Sequence, residues 1–376
     1  MKILIINAIL YTAETKNIPS VNSIKDTMIY DLCLSFKKLG YDVCLLCAED
    51  YKPVIVEEYD FDIIWGHTIL KSIFMPHRLP FMKNVGEIID GGNYDLIISS
   101  EVFSMGSLVA YLKAPKKTII WHELAKHNAL LKKVPSKIWY NIIAKVIMRN
   151  ALVVARSKEA FEFISRYCKN TKDVVIDHGI NSDKFAFETS KSDYFIVCSQ
   201  LIERKRIDGI IDKFAGFMER VENSGLDSYK GYKLFIVGDG ELREELENRA
   251  KYLNISNSVA FTGKLSHDEM IPLLSKAKAL LINTLKDNSM ISVVESIAVG
   301  TPVIMTDVAL NASYVKKYEL GIVDDNWGYE EMYKIIENNK EYVDNCGKYR
   351  YKITNDYMVE LFIGIYKDCL ESGKRE

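Results

Sequence analysis

The chain has 376 residues, 48% of them hydrophobic and 27% charged, with a formal net charge of −2. That length suffices for two domains with separate cores, and no stretch approaches the ~20 consecutive apolar residues of a membrane-spanning helix. The apolar run after Met1 is too short for a signal peptide. The seven scattered cysteines favour a reducing, cytoplasmic compartment over a disulfide or zinc framework: Cys44 and Cys47 lie inside one apolar run, where a strand sends them to opposite faces.

In the first half, short apolar runs at Lys2–Ala8, Asp42–Cys47, Phe61–Trp65, Tyr94–Ser99, Thr118–Trp121, Leu152–Ala155 and Val174–Asp177 read as buried parallel strands. Amphipathic stretches such as Ser23–Leu39 and Lys137–Arg149 lie between them. The loop after the first strand, Ile18-Pro19-Ser20-Val21-Asn22-Ser23, offers Ser23 as a helix cap, and Ser20 and Asn22 as side-chain contacts. The chain has neither GxGxxG nor GxxxxGK[ST], which disfavours a dinucleotide enzyme and a P-loop NTPase. His122 stands at the end of the strand Thr118–Trp121.

Segment 113–149 carries nine basic residues against Glu123 alone. Two readings stay open for it. In one, Ile138, Ile142 and Val146 with Trp139, Ile143 and Ile147 face the core and the lysines are solvated, which is the expectation for Lys137–Arg149. In the other, part of the segment, chiefly Lys126–Lys133, rests on an anionic inner membrane leaflet. No nucleic-acid motif accompanies the charge.

In the second half, strands restart at Tyr194–Cys198 and recur at Lys233–Val237, Val259–Phe261, Ala279–Asn283 and Val303–Met305. The periodicity breaks within Phe185–Asp193, so the domains are expected at 1–187 and 188–356. A terminal amphipathic helix, Tyr357–Glu371, has Met358, Leu361, Phe362, Ile365 and Cys369 on one side. The fold class is α/β, with two Rossmann-like domains in series.

The chemistry concentrates in Asp287-Asn288-Ser289-Met290-Ile291-Ser292-Val293-Val294-Glu295, followed by Gly300-Thr301-Pro302. A strand ends in a polar loop holding Asp287, and a helix is expected to start near Ser289 with Glu295 one to two turns in. The free N–H groups and positive dipole of that helix end suit a pyrophosphate without a metal.

This segment resembles the donor-site motif of the retaining GT-B glycosyltransferases of family 4, with Asp287 in place of the usual first glutamate. Further matches follow in the family's order. Ser199-Gln200-Leu201-Ile202-Glu203-Arg204-Lys205-Arg206 aligns Lys205 with the family's phosphate-gripping lysine and Gln200 with its arginine, a loss that Arg204 or Arg206 can offset. Val237-Gly238-Asp239-Gly240 resembles the family's strand-end turn, whose glycines permit positive φ. Val259-Ala260-Phe261-Thr262-Gly263-Lys264-Leu265 resembles its base-reading loop. Ser157 and the run His178-Gly179-Ile180-Asn181 match positions read as structural.

The resemblance implies a GT-B architecture, two domains facing a cleft with the terminal helix, 357–376, crossing back to the first domain. It implies a retaining hexosyl transfer from a nucleotide diphosphate sugar, most readily a UDP-sugar, to a glycan or lipid-linked acceptor in bacterial surface polysaccharide synthesis. No metal or other cofactor is expected. The donor would contact Gln200, Arg204, Lys205, Gly238, Lys264, Leu265, Asp287, Asn288, Ser289, Met290, Ile291 and Glu295. Within that set Lys205 neutralises the pyrophosphate, Asp287 holds the sugar and Glu295 the ribose, while His122 faces the reacting sugar. Because Gln200, Asp287 and the loop at 18–23 depart from the pattern, a degenerate subunit that binds another transferase stays open as an alternative, with a nucleotide-sugar epimerase as a third.

Overall fold

The computed structural model describes residues 1–10, 21–53, 55, 57–71, 80–127, 133–224, 229–287 and 289–372. They form two compact units, Met1–Asn181 with Thr354–Glu376, and Ser182–Ile353. The junctions at 181/182 and 353/354 compare with 187/188 and 356/357 read from the sequence. Among the described residues no helix is long and apolar enough to cross a membrane.

The first unit is built on a seven-stranded parallel sheet. Its strands are β1 (Lys2–Ile6), β2 (Asp42–Ala48), β3 (Asp62–Gly66), β6 (Leu96–Ser100), β7 (Thr118–His122), β8 (Leu152–Ala155) and β9 (Thr171–Val175), in the order β3-β2-β1-β6-β7-β8-β9. A separate antiparallel pair, β4 (Thr68–Ile69) and β5 (Phe81–Met82), lies between β3 and β6 in the chain. The central strands are apolar on both faces because both are covered: Ile3 to Ile6 are all buried, as are Leu96 to Ile98. The helix Asn355–Ser372 buries Met358, Val359, Phe362, Ile363, Ile365 and Tyr366 in the core that also holds Phe36 of the helix Met28–Lys38.

Two elements differ from the sequence reading. The edge strand β9 starts three residues earlier than expected, because a bulge lets Val154 pair with Lys172 and Ala155 with Val175; Val174 and Val175, which suggested a buried strand, are exposed. The helix Val134–Ile138 continues as a wider helix, Trp139–Ile147, whose Met148 N–H donates to the carbonyl of Ile143. In it, Tyr140 and Ala144 are buried, while Ile138, Ile142, Val146 and Ile147, expected in the core, are exposed.

The second unit is a six-stranded parallel sheet, β12 (Val259–Gly263), β11 (Lys233–Val237), β10 (Tyr194–Cys198), β13 (Ala279–Leu281), β14 (Val303–Met305) and β15 (Gly321–Val323), in that order. The helix Ile207–Asn223 shows why one face packs: Ile207, Ile210, Ile211, Phe214, Phe217, Met218 and Val221 recur at helical spacing and all are buried. They meet Phe195 of β10 and Trp327, whose indole N–H donates to the carbonyl of Ile282 at 3.0 Å. Both units are thus Rossmann-like, doubly wound α/β domains.

Candidate active site

In the second unit β10 leads to β11 and β12 on one side, and the chain then returns to lay β13 on the other. The winding therefore reverses between the carboxyl ends of β10 and β13, the point where doubly wound sheets bind ligands. The loops leaving those two ends are tied together: the Leu285 N–H donates to the Arg204 carbonyl at 2.8 Å, and the Thr284 hydroxyl oxygen lies 3.2 Å from the same carbonyl.

Here the structure brings Arg204, Lys205 and Asp287 into one cluster. Lys205 Nζ donates to Asp287 Oδ2 at 2.6 Å, Arg204 Nη1 to Oδ1 at 2.9 Å, and the Thr284 hydroxyl to Oδ2 at 2.8 Å. The Lys205 and Asp287 side chains are only 12% and 14% exposed, so water screens their attraction little. Burial alone would raise the Asp287 carboxyl, but the hydrogen bonds from Lys205, Thr284 and Arg204 outweigh it and hold its pKa below the ordinary value. Within this cluster two cations face one carboxylate, a balance of +1.

The helix carrying Glu295 spans Ile291–Ala298 and starts two residues later than expected, leaving Ser289 and Met290 in the loop before it. Met290, at the cap position, supplies no side-chain bond to that helix end. Its own N–H donates to Oδ1 of the fully buried Asn311 at 2.5 Å, and Asn311 Nδ2 donates to the Tyr314 hydroxyl at 2.6 Å. Ile291 is exposed, and Asn288 lies outside the described residues. Asn311 thus fixes the approach to the helix from 21 residues away.

Glu295 is buried, 6% exposed, and bonds the imidazole of His267: Nε2 lies 2.7 Å from Glu295 Oε1. That hydrogen bond raises the His267 pKa against the opposing effect of partial burial. His267 begins the helix His267–Lys276, whose start is set by a capping box in which Glu269 Oε2 accepts from the Ser266 N–H at 2.9 Å. Exposed Lys264 and half-buried Leu265 form, with Ser266, the link between β12 and this helix. The candidate base-reading loop and the candidate ribose carboxylate are therefore joined through His267, a residue the sequence motifs do not single out.

Gly238 has a φ of +136°, and a Cβ there would stand 1.8 Å from the Ser199 carbonyl oxygen. Its N–H donates to the Gly263 carbonyl at 2.9 Å, so the ends of β10, β11 and β12 close together only with glycine at this place. Gly240 differs from expectation: it needs no positive φ, and what excludes a side chain is the Leu201 carbonyl, 2.4 Å from the position of a Cβ. Gln200 is exposed beside this turn, and its side chain carries no charge.

His122 belongs to the first unit, at the end of β7, and is fully buried. Its Nδ1 lies 3.0 Å from Glu101 Oε2, in a geometry that makes no hydrogen bond, and the ring stacks 6.2 Å from Phe163. Burial would raise the Glu101 carboxyl, but His122, Arg156 and the Glu123 N–H together hold it below its usual value. Arg156 also donates to Glu123 at 2.7 Å and to His178 Nε2 at 2.8 Å, and stacks 3.6 Å over Trp121. Burial, reinforced by the Arg156 charge, keeps His178 neutral. Ser157 caps its helix by accepting from the Ala160 N–H. Ser157 and His178 thus do the structural work expected of them.

Two Rossmann-like domains in series, the second with a lysine and an arginine gathered on one aspartate at its switch point, are the architecture of the GT-B class. Two family models match adjoining parts of the chain: glycosyltransferase family 4 over residues 26–184 and glycosyl transferases group 1 over 180–352. The chain belongs to the GT-B glycosyltransferases of family 4. It is 22% identical over 311 residues to the alpha-monoglucosyldiacylglycerol synthase of Streptococcus pneumoniae, covering 76% of this chain and 68% of that one. It is 26% identical over 155 residues to an uncharacterised glycosyltransferase of Methanocaldococcus jannaschii, covering 37% of this chain and 38% of that protein's length. Among solved structures, HepE of Anabaena in complex with UDP superposes with a TM-score of 0.61 at 15% identity, over 98% of this chain and all of that one, a likeness of fold.

Proposed function

We propose that the chain is a retaining, metal-independent hexosyltransferase that takes a nucleotide diphosphate sugar, a UDP-sugar first, and passes the sugar to a hydroxyl of a glycan or lipid-linked acceptor. Bacterial surface polysaccharide synthesis is the setting that fits, in the cytoplasm with segment 113–149 touching the inner face of the membrane. The observation carrying this reading is the Lys205–Asp287–Arg204 cluster, a balance of +1, which ties the loop after β10 to the loop leading into the helix Ile291–Ala298. The UDP complex of HepE and the glycolipid product named for the streptococcal relative support the donor and acceptor classes.

In this reading Lys205, held by Asp287, meets the departing diphosphate, where charge develops as the glycosidic bond breaks. Asp287 holds the donor sugar and keeps the two cations aligned. Glu295 accepts from the ribose and the backbone at Lys264 and Leu265 reads the base, while His122, which has no exposed atom, acts only by positioning the end of its strand and Glu101 beside it. Retention follows the family's front-face course, with no protein nucleophile, so stabilising the leaving group is the main task.

The test is a thermal-shift and donor-hydrolysis screen against UDP-, GDP-, ADP- and dTDP-sugars with EDTA present, run on the wild type, Lys205→Ala and Glu295→Ala. One donor should raise the melting temperature and be slowly hydrolysed, and both variants should abolish the shift. Absence of binding to every donor at millimolar concentration overturns the reading.

A further inference from the structure

We propose that the helical stretch 134–147 is a bilayer-insertion face, lying flat on an anionic membrane with Val134, Ile138, Ile142 and Val146 in the boundary between headgroups and acyl chains. The inference rests on the membrane-contact reading of 113–149 and deepens it from a charged patch to a defined apolar surface.

Two stripes with the same four-residue spacing run along this element. Ser136, Tyr140, Ala144 and Met148 are all buried, fastening it to Phe103, Phe163 and Ile164 of the first unit. The other stripe points outward: Val134 is 54% exposed, Ile138 54%, Ile142 55% and Val146 69%. Four aliphatic side chains exposed in a row are unusual on a soluble surface and mark a place where something apolar docks.

Charge selects the occupant. Lys133, Lys137, Lys145 and Arg149 are exposed along the same element, and no acidic residue occurs between Glu123 and Glu159. A second copy docking through this face would oppose lysine to lysine with no carboxylate on the element to relieve it. An anionic lipid surface supplies headgroup charge for the basic rim and acyl chains for the stripe at once.

The experiment is co-sedimentation of the full-length protein with vesicles of phosphatidylcholine alone and of phosphatidylcholine with phosphatidylglycerol, at low and high salt. The variants are Ile142→Ser with Val146→Ser, and Lys137→Gln with Lys145→Gln; melting temperature and donor hydrolysis without vesicles control for folding and for the donor site. The wild type should bind the anionic vesicles and retain part of that binding in high salt. The serine pair should lose tenfold or more of the partitioning and all of the salt-resistant part, with melting and hydrolysis unchanged. The glutamine pair should lose about fivefold per residue and the preference for anionic lipid. Wild-type binding by the serine pair overturns insertion while leaving electrostatic contact standing, and no binding by the wild type overturns both. A dimer in light scattering that the serine pair abolishes would overturn the proposal in favour of a second copy.

Discussion

Replacing Lys205 by alanine separates catalysis from folding, because the structure shows what remains when the ammonium is gone. Asp287 keeps Arg204 Nη1 at 2.9 Å and the Thr284 hydroxyl at 2.8 Å, so the carboxylate is not left buried without a partner. Breaking a buried ion pair costs about 3–5 kcal/mol when it strands a charge; with two donors remaining the cost falls toward the ~1.5–3 kcal/mol of one charged hydrogen bond. For a domain of this size that is a fall of roughly 3–12 °C in melting temperature, leaving the protein folded at 25 °C. The catalytic cost is larger in effect: losing one preorganised charge at the departing diphosphate lowers kcat by about 10²–10³. The assay is donor turnover at 25 °C with the melting curve of the same preparation beside it. Near-wild-type turnover in Lys205→Ala would refute the reasoning, since no rearrangement of Arg204 can serve Asp287 and the diphosphate with one guanidinium at the same strength.

Gly238→Ala forces a Cβ into the Ser199 carbonyl oxygen and strains a positive φ, and is expected to cost about 3 kcal/mol or more, read as a lower denaturation midpoint. Asn311→Ala leaves the Met290 N–H without its buried acceptor and should raise the donor KM, with a stability loss of about 1–3 kcal/mol in urea unfolding. His267→Ala should weaken donor binding, and its pH behaviour has a definite sign. The pair with Glu295 raises the folded pKa of His267, so its contribution to stability is complete below the ordinary histidine value and is lost as pH rises through the raised one. With His267 half in solvent the effect stays within the ~0.2–1 kcal/mol of an exposed pair, and melting curves across that range should lose this slope in the alanine variant.

What the sequence made legible was whatever depends on local pattern. The runs at Lys2, Asp42, Tyr194 and Lys233 are continuous because both faces of a parallel sheet are covered, and each became a strand. Lys205 and Asp287 were legible through the spacing of a motif, and the structure places them 2.6 Å apart. The partner of Glu295 was not legible, because His267 lies 28 residues away and carries only a helix-start signature. The strand Gly321–Val323 was missed for a similar reason: three residues with a glycine leave no periodicity to read. The helix 134–147 misled in phase and not in spacing: Ile138, Ile142 and Val146 recur every four residues as Tyr140 and Ala144 do, and only the packing against Phe103 and Phe163 decides which stripe is buried.

The two domains share a frame, and among the described residues their switch points carry different side chains. In the first unit the switch point lies between β1 and β6, where Ser100 donates to Asn7 Oδ1 at 2.6 Å and Asn7 Nδ2 to the Ile9 carbonyl at 2.8 Å, with the Glu101 carboxylate directly after β6. In the second unit the equivalent strand ends carry Arg204, Lys205 and Asp287. Topology supplies a ligand site in each half, and side chains decide what each can hold. On the proposed reading a leaving diphosphate needs positive charge held at low exposure, which the loops after β10 and β13 concentrate by folding a lysine and an arginine onto one aspartate.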